Sequence, residues 1–158
     1  MKSYYPITLE LKNRHVLVVG GGIVAERKIK SLLASGARVK IVSPSITNRL
    51  QRLCSQRKIS CIKRKYKSRD VENSKLVIAA TNDNKVNALV SKDAKRKSVL
   101  VNVVDNAKLS DFISPAVLSK NKAIIAVSTN GKDPVFSRDL KNFLKEKWND
   151  FLSYRNRL

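Results

Sequence analysis

Apolar positions along this chain follow two rhythms, one suited to buried strands and one to helices. Val16-Leu17-Val18-Val19 is a continuous apolar run, the pattern of a strand covered on both faces. Gly20, Gly21 and Gly22 end it. From about Ile23 the rhythm becomes helical, with Val24, Ile29, Leu32 and Leu33 recurring beside Arg27, Lys28 and Lys30. Ser35-Gly36 is a stop signal for that helix. Residues 38–43 alternate and are rich in Val and Ile, which predicts a second strand, and Pro44 breaks it. Ile46, Leu50 and Leu53 trace a short amphipathic helix. Residues 59–66 alternate with basic side chains, as a third strand near a sheet edge would. Residues 75–81 predict a buried fourth strand, 84–95 a helix with Val86, Leu89 and Val90 on one face, and 98–105 a fifth strand. Strands separated by helices pair in parallel through right-handed crossovers. The fold class is therefore α/β, a Rossmann-like doubly wound parallel sheet.

Beyond residue 110 the pattern changes. Residues 111–119 and 122–129 are strand-like and joined only by Lys120-Asn121. So short a join suits a β-hairpin and cannot hold a crossover helix. One long helix is predicted over 134–155, with Val135, Leu140, Phe143, Leu144, Trp148, Phe151 and Leu152 on its apolar side. Pro134 suits its first turn and Asp133 its N-cap. A hairpin and one apolar-faced helix have little of their own to bury against. They predict packing on a second copy of the chain, a homodimer.

Strand, glycine turn and helix are the context a dinucleotide fingerprint requires. Gly20-x-Gly22-x-x-Ala25 fits G-x-G-x-x-G/A in register. Gly20 allows the tight turn, Gly22 leaves the backbone bare for a pyrophosphate, and Ala25 lets the helix approach the strand. The free N–H groups and positive dipole of the helix start, with Gly21 in the turn, face the phosphates. Residues 1–110 are thus read as an NAD-binding domain and 111–158 as a dimerisation segment. The acid that usually holds the ribose at the end of strand two is missing. Ser43 stands there, with Ser45 two residues on. Either hydroxyl can bond a ribose, neither excludes a 2′-phosphate, and NAD against NADP stays open on chemistry alone. Ligands of such sheets sit beyond the carboxyl ends of the strands. That places Thr81, Asn82 and Asp83 after strand four, and Asp105 and Asn106 after strand five, around the cleft. Asp105 leaves a buried strand at the cleft mouth, so it is the candidate general base; the alternative is a carboxylate that caps the following loop.

Charge changes the picture less than its size suggests. The 158 residues carry 33 Lys and Arg against 12 Asp and Glu, a formal +21. A field of this size attracts polyanions. The basic residues are spread through the predicted elements, and no aromatics interleave with the basic runs as a single-strand binder would want. That argues against nucleic acid and leaves an acidic small molecule or simply solvated faces. No stretch approaches the ~20 apolar residues of a membrane span, and residues 1–13 lack a signal-peptide h-region, so the expectation is cytoplasmic. Cys54 and Cys61 make neither a zinc set nor a redox C-x-x-C and are expected as reduced thiols. His15, the single histidine, begins the first strand away from the glycines and is read as structural. No metal site is expected.

The strings GGGIVAERKIKSLLASGARVKIVSP, AATNDNKVN, VNVVD, FISPAVL and AVSTNGKDP occur in that order across essentially the whole chain. Together the sequence resembles the precorrin-2 dehydrogenases, a unit also found as the N-terminal part of siroheme synthase. The resemblance implies NAD-dependent oxidation of precorrin-2 to sirohydrochlorin. In some members it also implies insertion of Fe2+ as a substrate. It implies NAD contacts at Gly22, Ile23, Val24, Pro44 and Ser45, catalysis by Asp105, and a dimer whose hairpin and helix exchange with the partner. Precorrin-2 carries eight carboxylates, which gives a basic cleft a purpose. Asp133 stands where the family commonly has Ser, and the chain stops at Leu158, where family enzymes usually continue into a further helical domain. A non-catalytic NAD- or tetrapyrrole-binding module is the alternative.

Overall fold

The computed structural model describes residues 4–104, 106–120 and 123–157. Two compact units are present, residues 6–112 and residues 113–157, and Tyr4 and Tyr5 group with the second.

In the first unit, β1 (His15–Val19), β2 (Arg38–Val42), β3 (Ser60–Ile62), β4 (Leu76–Ala79) and β5 (Leu100–Val103) form one parallel sheet in the order β3-β2-β1-β4-β5. The helices are α1 (Ile23–Ala34), α2 (Asn48–Ser55) and α3 (Asn84–Arg96). Alternate residues of β1 feed two different cores. Val16 and Val18 join Ala25, Ile29 and Leu32 of α1 and Leu50 of α2. Leu17 and Val19 join Val90 and Ala94 of α3 together with Val71. Period-two side-chain alternation in a strand with no solvent face produces this three-layer arrangement. The predicted doubly wound sheet is the observed one.

Local chemistry sets the element ends. α1 stops in a Schellman arrangement: the Gly36 N–H donates to Leu33 O at 3.0 Å and the Ala37 N–H to Leu32 O at 3.1 Å, with Gly36 at φ +74°. Thr47 caps α2, accepting from the Leu50 N–H, and Asp83 caps α3, accepting from the N–H groups of Lys85 and Val86.

Several strands are shorter than predicted: β4 and β5 keep only Leu76–Ala79 and Leu100–Val103 of 75–81 and 98–105, and β3 and the first hairpin strand are also cut back. β3 ends at Ile62 because Arg64 turns away to form a bidentate pair with Asp70, at 2.7 and 2.6 Å. Asp70 also accepts from the Lys67 N–H at 2.8 Å and closes a short 3-10 turn, Ser68–Val71. Residues 111–115 do not extend the hairpin strand. Asp111 instead seals the β5 edge, its N–H donating to Val101 O and its carboxylate accepting from the Val101 N–H. The cysteines also depart from expectation. Cys54 at the end of α2 and Cys61 in β3 are paired as a disulfide, with Cα atoms 6.0 Å apart. A separation of seven residues hid a contact made by the chain returning to the sheet.

The second unit holds an antiparallel pair, β6 (Ala116–Lys120) and β7 (Ala123–Val127), in the register Ala116↔Val127 to Lys120↔Ala123. A hairpin is present as predicted, but Lys120, expected in the join, belongs to β6, and residues 121 and 122 lie outside the described residues. The long helix is divided into α4 (Pro134–Glu146) and α5 (Trp148–Arg155). The Lys147 N–H still donates to Phe143 O, and the Phe151 N–H to Lys147 O, so the division is one relaxed residue at Lys147 (ψ 7°). It precedes Trp148, the buried residue of α5. Asp133 caps α4, accepting from the Phe136 N–H at 2.8 Å. Helix capping thus accounts for the acid at this position.

Asp70 is only 4% exposed. Burial raises its pKa, but the bonds from Arg64 and the Lys67 N–H, with the charges of Arg64 and Lys40, outweigh burial and hold it below the ordinary carboxylate value. A depressed native pKa stabilises the fold above the unfolded value and is lost as pH falls through the native one. Asp70→Asn should therefore cost about 1–3 kcal/mol at neutral pH. The gap to the parent chain should close below about pH 4, as read by urea unfolding at both pH values. An equal gap at both would contradict this account.

Candidate active site

The corner where β1 hands over to α1 is built by close backbone approach. Gly20 sits at φ +117°, and a Cβ on it would collide with the Ala80 carbonyl that follows β4. Its N–H donates to Val42 O at 3.0 Å. A Cβ on Gly21 would collide with Ser45 O and crowd Ile46, and Gly21 O accepts from the Thr47 N–H. The turn is thus held between the ends of β4 and β2. Gly22 differs. A Cβ there would meet nothing within 4 Å, and its backbone is extended at φ −83°, ψ −174°. Gly22 also caps α1 with no side-chain bond to the first-turn N–H groups. An open, side-chain-free corner with a bare helix start is what a diphosphate needs. The residues present fit a dinucleotide.

The other expected residues take distinct positions. Ile23 is exposed, Val24 half-buried and Ala25 fully buried, so the first turn shows one face to the corner and packs the other. Ser43 is buried, and its hydroxyl donates to Ser45 O at 2.7 Å; it shapes the loop. Pro44 and Ser45 are exposed beside it. The Thr81 hydroxyl donates to Asn87 Oδ1 at 2.8 Å, and Asn82 is exposed. Asp105 lies outside the described residues. Its neighbours bracket the end of β5: the Val104 N–H donates to Ala79 O and the Asn106 N–H to Val103 O.

Two residues near the corner carry no sequence signal for their task. Glu26, in the first turn of α1, accepts from the Thr47 hydroxyl at 2.8 Å and lies 3.5 Å from Arg49. It ties α1 to the loop after β2. Asn87, buried in α3, accepts from the Thr81 N–H and donates to Thr81 O. It fixes the loop after β4. Both act across more than one element, which periodicity cannot reveal.

The second unit has its own pocket of about 250 Å³, lined by residues including Ile113, Ser128, Thr129, Gly131, Pro134 and Ser137. Among the described residues no group of three or more His, Cys, Asp or Glu could hold a metal ion.

Residues 7–116 match the family described as "Putative NAD(P)-binding". Siroheme synthase of Actinobacillus pleuropneumoniae is 43% identical over 143 residues, covering 90% of this chain and 29% of that protein. Siroheme synthase of Photobacterium profundum is 40% identical over 143 residues, covering 90% and 30%. The chain thus spans about three tenths of the length of these relatives. Among solved structures, "SirC, precorrin-2 dehydrogenase" superimposes with a TM-score of 0.81 at 30% identity, over 91% of this chain and 71% of that one. The chain therefore belongs to the NAD(P)-binding family that includes precorrin-2 dehydrogenase and siroheme synthase.

Proposed function

We propose that the chain is an NAD-dependent precorrin-2 dehydrogenase, forming sirohydrochlorin on the way to siroheme. The observation that carries this reading is the open corner at Gly22 in a chain of this family. In this reading the diphosphate lies on the backbone of Gly22, Ile23 and Val24, favoured by the α1 dipole. Gly20 and Gly21 keep the turn closed behind it. Pro44 and Ser45 border the ribose, with Ser43 holding their loop. Thr81 and Asn82 border the cleft after β4. Bound NAD supplies the hydride acceptor. Asp105 accepts, on a carboxylate oxygen, the proton that precorrin-2 releases as its hydride departs. Substrate thus loses one hydride and one proton, a two-electron oxidation, and the proton passes to solvent.

We also assign the exposed apolar side chains of the second unit to a homodimer. Val117, Ile124, Phe136, Phe143 and Phe151 are each more than half exposed, more apolar surface than a solvated hairpin and helix need. Sedimentation at micromolar concentration should give twice the 17.7 kDa chain mass; the monomer mass would refute the assignment. Among the described residues no helix is long and apolar enough to cross a membrane. We place the activity in the cytoplasm, where cell fractionation should find it.

Two substitutions separate binding from chemistry. The Cβ of Gly22→Leu meets no protein atom within 4 Å, so the fold should survive while the corner fills. NAD affinity should fall at least about tenfold, which is 1.4 kcal/mol, at unchanged thermal stability. Asp105→Asn should keep NAD binding and lower turnover of precorrin-2, followed by NADH absorbance, by about 10²–10⁴. A chain that binds NAD but never turns over would leave only the non-catalytic module; an Asp105→Asn variant with full turnover would remove Asp105 from the chemistry.

A further inference from the structure

The sheet has a charged concavity at the end opposite the glycine turn. It is a groove of about 580 Å³ over the starts of β1, β2 and β3. Arg38, Lys40, Arg57 and Lys58 line it, with Glu72 as the one carboxylate. Glu72 is already held by Lys97 at 2.9 Å, and Lys97 lowers its pKa, first by that hydrogen bond and then by its charge. Lys40 is steadied by donating to Asp70 O at 3.1 Å. Among the described residues no ion pair involves Arg38, Arg57 or Lys58. Four cations therefore line one concavity whose single acid is held chiefly by Lys97 from outside. Val16, Val39 and Ile59, each at most 5% exposed, pack beneath it. Like charges gathered in one concavity add their fields on an anion.

The cofactor corner lies at the other end of the same strands. A strand of five residues rises about 3.3 Å per residue, roughly 15 Å in all. A substrate reacting beyond the carboxyl ends of the strands lies away from this groove. The groove is too large for one phosphate, and His15 is the one ring among its lining residues. The geometry points to a binding site for a small oligophosphate, an anion with several phosphates in a row, held by Arg38, Lys40, Arg57 and Lys58. Arginine forks match phosphate oxygens in pairs, and lysines add point charges along the chain.

The probe is inorganic tripolyphosphate, titrated calorimetrically into the full chain at low salt. Saturable one-to-one binding is expected. Arg57→Gln/Lys58→Gln should weaken it at least about tenfold, with NAD affinity unchanged as the check on folding. Arg38→Gln, on β2, should weaken it by itself and decides the matter if the double variant does not fold. Lys30→Gln/Lys92→Gln removes two charges from exposed positions on α1 and α3 and should change affinity by less than about twofold. Equal weakening by that control, or no saturable binding, would overturn the site. So would a single-stranded oligonucleotide that binds about a hundredfold tighter through the same residues, since the groove would then serve nucleic-acid backbone.

Discussion

The structure depends on the close approach of Gly20 to the carbonyl of Ala80. A side chain at Gly20 would occupy the same space as that carbonyl, and the positive φ disfavours any other residue there. The contact lets β1 end against β4 while the Gly20 N–H still bonds to Val42 at the end of β2. Three strand ends and one helix start thereby converge. Gly21 presses against the loop after β2, so the only free volume left in the turn is at Gly22. The binding corner is thus the space remaining after the fold has closed everything around it.

Much of this was legible because β1 is buried on both faces. Its apolar run announces a central strand, and the glycines and helical rhythm that follow announce the crossover. The hairpin was legible from the two-residue join, and the α4 cap from Asp133-Pro134. What could not be read were features made by contacts distant in sequence. Arg64 leaves β3 for Asp70, so the alternation of residues 59–66 overstates the strand. Cys54 and Cys61 meet because α2 returns to the sheet edge. Glu26 and Asn87 look like ordinary helix residues until Thr47 and Thr81 are found beside them.

Charge has at least two uses in this reading. Some of the excess of basic residues holds the fold together, as Arg64 and Lys40 do around Asp70. Some gathers at the starts of the strands, away from the glycine turn. The spread of Lys and Arg that argued against a nucleic-acid stripe in the sequence corresponds in space to separate local tasks. Asp105 remains the residue on which the proposed chemistry turns.

The most direct test of the central claim is a crystal structure of the chain grown with excess NAD. The account predicts the diphosphate on the main-chain amides at Gly22, Ile23 and Val24, with no shift in Gly20 or Gly21. Dinucleotide bound elsewhere, or a corner closed by protein in its presence, would contradict it.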